Sequence, residues 1–291
     1  MNTRLLTEQD YINYLEQFRW NGKVVSPYDP TSKVYKLADG WYKCKNTGKR
    51  FNVRTGTFFK ASNLPLSQWF KAIDRWSEST GISAHKLAKK IKVDIKTTHF
   101  VITRLNDASK LGLFNIFTEM TKDFKKLTGA VEIDETSIYG KRKNKHWDKK
   151  DNGKKITLWG AVEKGKGGRA IAFVVNDTKR KTLLPLVRTY IEEESEINSD
   201  ENPSYDSLGE WYNHKWVNHG RKQWVNKDNG AYTQCIESFW NFVKRTTGGT
   251  HIHISEKYAP LYLQGILFRY NTRNWSEEKR FNFFLTSALG R

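Results

Sequence analysis

Residues 1 to about 60 combine short alternating apolar and polar runs with many turn signals. The runs 34–37 and 50–53 alternate in the way a half-buried strand does, and Asn21-Gly22, Asp29-Pro30 and Asp39-Gly40 mark tight turns. This pattern predicts a small β-rich unit. From Leu66 onward the apolar residues instead recur at helical spacing, which predicts a helix that ends near Thr80-Gly81.

Two further helical patterns follow at 82–91 and 95–105, joined by the short segment 92–94. Asp94 is suited to cap the second helix, and the pair matches a helix-turn-helix. In that motif the second helix would present Lys96, Thr97 and Arg104 to a DNA groove. An ordinary pair of packed helices explains the same pattern equally well.

From Val131 the pattern changes to strands. Residues 131–134 and parts of 155–162 alternate, and 169–175 is a continuous apolar run typical of a buried strand. A helix is predicted from Thr182 to about Glu194, a strand near Ile197, another strand at 216–219 and a helix at 232–245. Adjacent strands followed by strands that alternate with helices predict an α/β protein with a mixed sheet.

The charge balance adds a partner to this picture. Lys and Arg number 50 against 31 Asp and Glu, so the formal net charge is +19. An excess of this size predicts a polyanionic partner, DNA or RNA. Two cysteines exclude a disulfide framework and a zinc site made of four cysteines. No apolar stretch approaches 18 residues and the polar start has no signal-peptide core, so we expect an intracellular protein without a membrane partner.

Three acidic residues stand out as candidates for chemistry. Asp134 shares a strand face with Glu132, Asp200 follows the strand near Ile197, and Glu237 lies beside the apolar stripe of its helix, on the same side as Lys244. Each one alone also fits a solvated surface. Together, two strands and a helix would supply carboxylates as an RNase H-like sheet does to hold two divalent ions, Mg²⁺ or Mn²⁺.

The local words around these acids resemble those of bacterial DDE transposases, specifically the insertion sequence 1595 family. The resemblance runs from about Trp20 to Arg273. The matching words are VRTGT (53–57), LPLSQW (64–69), VEIDET (131–136), WVNH (216–219), IESFW (236–240), KR (244–245) and FRYN (268–271). The resemblance implies that Asp134, Asp200 and Glu237 are the catalytic metal ligands and that Lys244, with Arg245 beside it, approaches the DNA end.

The chain departs from the family pattern in three places. Members usually carry two Cys-x-x-Cys zinc knuckles, whereas this chain has Ser26 and Asp29 in the first and Cys44 and Thr47 in the second. We therefore predict a ribbon-like module without zinc, held by aromatic residues. Gln234 replaces an Asn that some relatives are thought to use as a ligand, which favours Glu237. A Glu usual before the FRYN word is also missing, since the chain reads Gln264-Gly265-Ile266.

A basic run at 141–155 is predicted to form a hairpin loop beside the strand of Asp134. We expect its cations to contact phosphates, although a solvated loop is the plainer interpretation. The cations concerned are Lys141, Arg142, Lys143 and Lys145. Trp147 in the same run would stack on an unpaired base, or has no role. His219 is either an accessory active-site residue or a histidine satisfied at a strand end.

The resemblance implies a DNA transposase that binds terminal inverted repeats, cleaves the ends to 3′-hydroxyls and joins them to target DNA as a homodimer or higher oligomer in the bacterial cytoplasm, on the nucleoid. A catalytically silent DNA-binding descendant and an RNase H-like nuclease without strand transfer are the alternatives. The predicted segments are 1–62 (degenerate ribbon), 63–125 (helix-turn-helix region), 126–275 (RNase H-like catalytic domain) and 276–291 (helical tail).

Overall fold

The computed structural model describes residues 7–118, 125–139, 155–218, 226, 230–250 and 254–289. The chain divides into two compact units. The first comprises residues 1–78, 84–112 and 276–291, and the second comprises 79–83 and 113–275. Among the described residues, none of the helices is long and apolar enough to cross a membrane.

The first unit opens with helix α1 (Glu8–Trp20), which the turn-rich pattern did not predict. Thr7 and Asp10 form a capping box at its start, and Tyr11 and Leu15 are fully buried on its inner face. The helix arises because the apolar stripe of a largely polar segment faces the unit's core. The predicted β-rich module therefore contains a helix of 13 residues as well as strands.

A three-stranded antiparallel sheet follows, in the order β1 (Val34–Lys36), β2 (Tyr42–Cys44) and β3 (Arg50–Phe51). Its inner side packs aromatic rings on Trp20, which lies 5.3 Å from Tyr42 and 6.1 Å from Phe51 between ring centroids. Such edge-to-face contacts stabilise small cores beyond the area they bury.

The remaining helices of the first unit are α2 (Leu66–Ser77), α3 (Ala84–Ile91), most of α4 (Ile95–Thr118) and α8 (Glu277–Ala288). The predicted stripe of α2 is buried, including Trp69 and Trp76. Asp94 caps α4, because its carboxylate accepts from the Thr97 amide at 2.8 Å and hydroxyl at 2.7 Å. The C-terminal helix α8 joins this unit through Arg280, whose guanidinium donates to the Ser77 carbonyl at 2.8 Å.

The second unit is built on a mixed sheet, which confirms the predicted α/β class with a mixed sheet. Its described strands are ordered β6-β5-β4-β7-β8. Strand β5 is antiparallel to both of its neighbours, β4 and β6, whereas β7 and β8 run parallel to β4. Their bounds are β4 (Ala130–Ile138), β5 (Ile156–Glu163), β6 (Ala170–Val175), β7 (Glu196–Ser199) and β8 (Asn213–Trp216).

Helices accompany this sheet. Helix α5 (Arg180–Tyr190) packs Leu183 and Val187 into the core on one face of the sheet. Helices α6 (Gln234–Thr250) and α7 (Ala259–Asn271) complete the unit, together with short 3₁₀ helices at Pro203–Glu210 and Glu256–Tyr258.

Three predicted boundaries in this unit differ from the structure. Helix α5 ends at Tyr190 rather than near Glu194, because Ile191 leaves the helix and bridges to Leu127. The last strand lies at Asn213–Trp216 instead of 216–219, where it pairs with β7. Helix α6 continues to Thr250, through the glycines at 248 and 249.

Candidate active site

Strand β4 presents different side chains on its two faces. Val131 and Ile133 are fully buried in the core shared with α5. Glu132 and Asp134 alternate with them and both contact α6, through the Ile236 amide and the Trp240 indole. The predicted alternation is therefore present, but the polar face is covered by a helix rather than by solvent.

Asp134 is held by an indole that needs a glycine beneath it. Trp240 Nε1 donates to Asp134 Oδ2 at 3.0 Å. Gly160 lies directly opposite Asp134 on β5, and a Cβ atom there would stand 2.6 Å from Trp240 Cη2. No side chain larger than hydrogen fits without moving the ring. Gly160 thus allows Trp240 to reach the carboxylate.

Asp200 comes to the same region because β7 runs parallel to β4. It follows the last residue of β7, and the parallel register that pairs Glu132 with Asn198 brings Asp200 level with Asp134 in the middle of β4. Asp200 Oδ1 accepts from the Asn202 amide at 3.1 Å. It lines a cavity of about 440 Å³, whose other lining residues are Glu201, Asn202, Asp206, Gly209, His214 and Trp216.

The charges of Asp134 and Asp200 interact. Burial raises the pKa of Asp134 to about 7, and the negative charges of Asp200 and Glu135 add to the rise. Burial likewise raises the pKa of Glu135 to about 6, although the Tyr205 hydroxyl and the Asn202 amide group stabilise its charged form. Three carboxylates therefore interact in a mostly buried place, where a proton or a cation must offset their repulsion.

Glu135 is a site residue that sequence reasoning missed. It directly follows Asp134, so the acidic pair in the VEIDET word was the available signal. Strand alternation alone places it on the opposite face, in the direction of the α5 core. Its approach to Asp200 depends on Asn202, which donates to Glu135 Oε2 at 2.9 Å.

Glu237 lies in the first turn of α6, where the Thr233 hydroxyl donates to its Oε1 at 3.4 Å. In the described part of the chain, no three His, Cys, Asp or Glu side chains form a group that could hold a metal ion. The structure thus brings Asp134 and Asp200 together, and Glu237 does not complete a three-ligand group with them. Its role as the third ligand stays a prediction.

Glu132 anchors the helix that carries Glu237. Its side chain is fully buried, and Oε2 accepts from the Ile236 amide at 2.9 Å, at the amino-terminal end of α6. Burial raises the pKa of Glu132, whereas the Ile236 amide and the Lys164 ammonium favour the charged form. A carboxylate at this end of a helix also interacts favourably with the helix dipole. The sequence placed Glu132 beside Asp134 without indicating this role.

Some of the predicted DNA-contacting side chains are exposed, whereas others form hydrogen bonds within the protein. Lys244, Arg245 and Lys96 are exposed. The Thr97 hydroxyl donates to Asp94, and the Arg104 guanidinium donates to the carbonyls of Phe58 and Lys60, both at 2.6 Å. Arg104 therefore ties a loop to α4 within the first unit. Lys141, Arg142, Lys143, Lys145 and His219 lie outside the described residues, as does Trp147.

The FRYN word has a structural part. Asn271 forms a two-point contact with strand β6: its Oδ1 accepts from the Ala170 amide at 2.7 Å, and its Nδ2 donates to the Ala170 carbonyl at 2.9 Å. Gly265 is buried in α7. The same helix packs Tyr270 against Phe239 of α6, with 4.8 Å between ring centroids.

The chain was compared with protein-family models, with curated proteins and with solved structures. A family model described as the ISXO2-like transposase domain, of the insertion sequence 1595 group of DDE transposases, matches residues 126–271. A protein of the transposable element ISH50 from Halobacterium salinarum, itself uncharacterized, is 24% identical over 283 residues, covering 91% of each chain. The crystal structure of a pre-cleavage Mos1 transpososome aligns at 11% identity over 74% of this chain and 77% of that chain, with a TM-score of 0.28.

The family match spans half of the chain and includes β4, β7 and α6, the elements that carry Asp134, Asp200 and Glu237. It agrees with the resemblance carried by the words around these residues. The chain therefore belongs to the insertion sequence 1595 family of transposases.

Proposed function

We propose that the protein binds the terminal inverted repeats of its own element, hydrolyses a phosphodiester at each end to expose a 3′-hydroxyl, and joins that hydroxyl to target DNA by transesterification. The observation that supports this most directly is the charge repulsion between Asp134, in the middle of β4, and Asp200, directly after the end of β7. Repelling carboxylates in a mostly buried place are suited to divalent cations, which bring the missing positive charge.

The donor type suits the two Mg²⁺ or Mn²⁺ ions that we propose, because these ions prefer carboxylate oxygens and a cation would offset the repulsion between Asp134 and Asp200. Asp134, Asp200 and Glu237 would hold them. When bound, such ions activate the attacking water or hydroxyl and stabilise the leaving oxygen. Zinc is not part of the proposal, since Ser26, Asp29, Cys44 and Thr47 offer one thiol and one carboxylate where a closed structural site needs four ligands.

The other residues position the reacting groups. Trp240 fixes the orientation of Asp134 through its indole hydrogen bond, and Glu132 holds the start of α6 against β4. Lys244 and Arg245 lie exposed on the same helix, where they would contact the phosphates of the bound end. Lys96, at the start of α4, would contact the inverted repeat. The two ends must be brought together, so we propose a homodimer or higher oligomer on DNA, acting on the bacterial nucleoid.

The test is a reaction of purified protein with Mg²⁺ or Mn²⁺ and labelled DNA that carries the ends flanking the gene. We expect nicked ends joined to a second duplex, and loss of both products in Asp134→Asn and Glu237→Gln. Asp206→Asn is the matched control, since Asp206 is an exposed acid that lines the same cavity as Asp200.

The alternatives give different products in this reaction. Nicks without joined ends would indicate a nuclease that lacks strand transfer. Repeat binding without cleavage in either metal would indicate a silent DNA-binding descendant. If Glu237→Gln cleaves at the wild-type rate, Glu237 is not the third ligand.

A further inference from the structure

The sheet of the first unit has one face that the core does not use. Across the three strands, Tyr35 of β1 pairs with Lys43 of β2, which pairs with Arg50 of β3. The alternating partners Tyr42 and Phe51 are buried on the inner side. Trp41 directly precedes β2, and its ring lies beside Arg50, the cross-strand partner of Lys43, so it belongs to the same side. We name Tyr35, Trp41, Lys43 and Arg50 the outer sheet face.

Two aromatic rings on this face remain accessible. Tyr35 is 42% exposed and Trp41 is 39% exposed. Each ring carries a cation nearby: Lys33 Nζ lies 5.3 Å from the Tyr35 ring centroid, and Arg50 Cζ lies 5.3 Å from the Trp41 ring. Exposed aromatic side chains are unfavourable in water, so two of them on one small sheet face indicate a partner with flat apolar surfaces.

The charge of the segment identifies that partner further. Residues 33–50 contain six Lys and Arg against a single acid, Asp39, which pairs with Arg50. A partner with planar groups and regular negative charge is a nucleic acid. Its bases must also be unpaired, because the bases of a duplex are stacked on one another and cannot stack on side chains.

We propose that the outer sheet face binds single-stranded DNA, with neighbouring bases stacked on Tyr35 and Trp41 and the backbone phosphates contacting Lys43 and Arg50. Trp41 is diagonal to Tyr35 across the strand pair, a spacing of about 7–8 Å between positions that suits consecutive bases of an extended strand. This inference goes beyond the proposed recognition of duplex repeats and does not depend on the catalytic residues.

The test uses the full-length protein and fluorescence anisotropy with a labelled oligothymidine about 20 nucleotides long, beside a duplex of equal length. We expect Tyr35→Ala and Trp41→Ala each to weaken oligothymidine binding by about fivefold or more, with a change of less than about twofold for the duplex. Tyr35→Phe and Trp41→Phe should keep wild-type affinity, because phenylalanine retains a stacking ring.

Trp211→Ala is the matched control. Trp211 lies in the second unit, is 40% exposed, and has Arg188 Cζ 3.9 Å from its ring centroid. It therefore reproduces the exposed ring and its cation without the sheet. We expect no change in oligothymidine affinity for this variant. Thermal unfolding of each variant verifies that substitution of these partly exposed side chains leaves the fold intact.

A second measurement locates the contact directly. An oligonucleotide that contains 5-iododeoxyuridine cross-links under light to stacked aromatic side chains, and mass spectrometry identifies the attached peptide. We expect cross-links at Tyr35 or Trp41. The proposal is overturned if Tyr35→Ala and Trp41→Ala both keep wild-type oligothymidine affinity, if duplex binding falls equally, or if the cross-links map only to other residues. None of these outcomes bears on cleavage, so the proposed transposase activity is tested separately.

Discussion

The Glu132 carboxylate accepts the backbone amide of Ile236 at 2.9 Å, which joins the start of α6 to β4 two residues before Asp134. One strand face thus supplies both the anchor of the helix and the acidic residue proposed for the chemistry. The relative placement of Asp134 and Glu237 depends on this contact, because both elements are fixed beside it.

Replacing Glu132 tests the anchor. Glu132→Ala leaves the Ile236 amide buried without an acceptor, which we expect to cost about 1–3 kcal/mol in urea unfolding and to lower end cleavage. Glu132→Gln retains an acceptor oxygen and should recover a large part of both losses. Glu210→Ala, at an exposed acid, is the control. Equal stability of the alanine variant and the wild type would contradict the anchoring role.

The space at Gly160 gives a second prediction. In Gly160→Ala the new methyl group meets Trp240 at 2.6 Å, so the indole must move and its hydrogen bond to Asp134 is lost. We expect a loss of about 1–3 kcal/mol in stability, measured by urea unfolding, together with reduced cleavage. Gly248→Ala has nothing within 4 Å of the added atom and lies in α6, so it should be neutral or slightly stabilising.

The raised pKa of Asp134 predicts how stability depends on pH in the absence of metal. The folded-state pKa of Asp134 is about 7, whereas the ordinary aspartate value is 3.8, so between these pH values the folded protein holds a proton that the unfolded chain releases. The contribution of Asp134 to stability is therefore full below about pH 4 and is lost as the pH rises to about 7.

Asp134→Asn should remove this dependence. In EDTA, we expect the variant to have a higher Tm than the wild type at pH 8 and no such advantage at pH 4, measured by calorimetry. Added Mg²⁺ should raise the Tm of the wild type at pH 8 and leave the variant nearly unchanged, since a bound cation stabilises the folded state. Parallel Tm profiles for the two proteins would show that Asp134 titrates normally.

Asn271 offers a prediction about stability separate from chemistry. Asn271→Ala removes both contacts with Ala170 on β6, and we expect a loss of about 1–3 kcal/mol in urea unfolding. Asn271→Asp keeps an acceptor for the Ala170 amide, but its ionised carboxylate cannot donate to the Ala170 carbonyl. A protonated carboxyl can donate again, so the loss of stability should be smaller at a pH where the carboxyl is protonated than at a pH where it is ionised. Residual cleavage per folded molecule should match the wild type in both variants.

The sequence predicted the features that depend on local pattern. Alternation identified β4 with Asp134, the apolar run identified β6, and the helical wheel around Glu237 identified α6. Helix α1 was missed because turn dipeptides follow it, and its buried residues are only three, Tyr11, Leu15 and Trp20. Local patterns weigh a whole segment, whereas this helix is stabilised by a narrow stripe against the core.

The sequence predicted only those parts of the site that depend on the position of a residue within its own strand or helix. A strand pattern shows that Glu132 and Asp134 share a face, but it cannot show that α6 covers that face. The link of Glu135 to Asp200 through Asn202, and the use of Arg104 to hold a loop, arise from segments distant in the chain. Such contacts follow from the fold as a whole.

The hydrogen bond between the Trp240 indole and Asp134 has a consequence for how mutations in one copy of the element affect the other copies. An asparagine at this position still offers an oxygen to Trp240, so the substitution that removes the proposed metal ligand leaves the hydrogen bond in place. Aspartate and asparagine codons differ by one base. Under the proposed function, a single point mutation would then yield a folded protein that binds the repeats without cutting them. Such a mutant protein would compete with the intact transposase for the ends of other copies of the element.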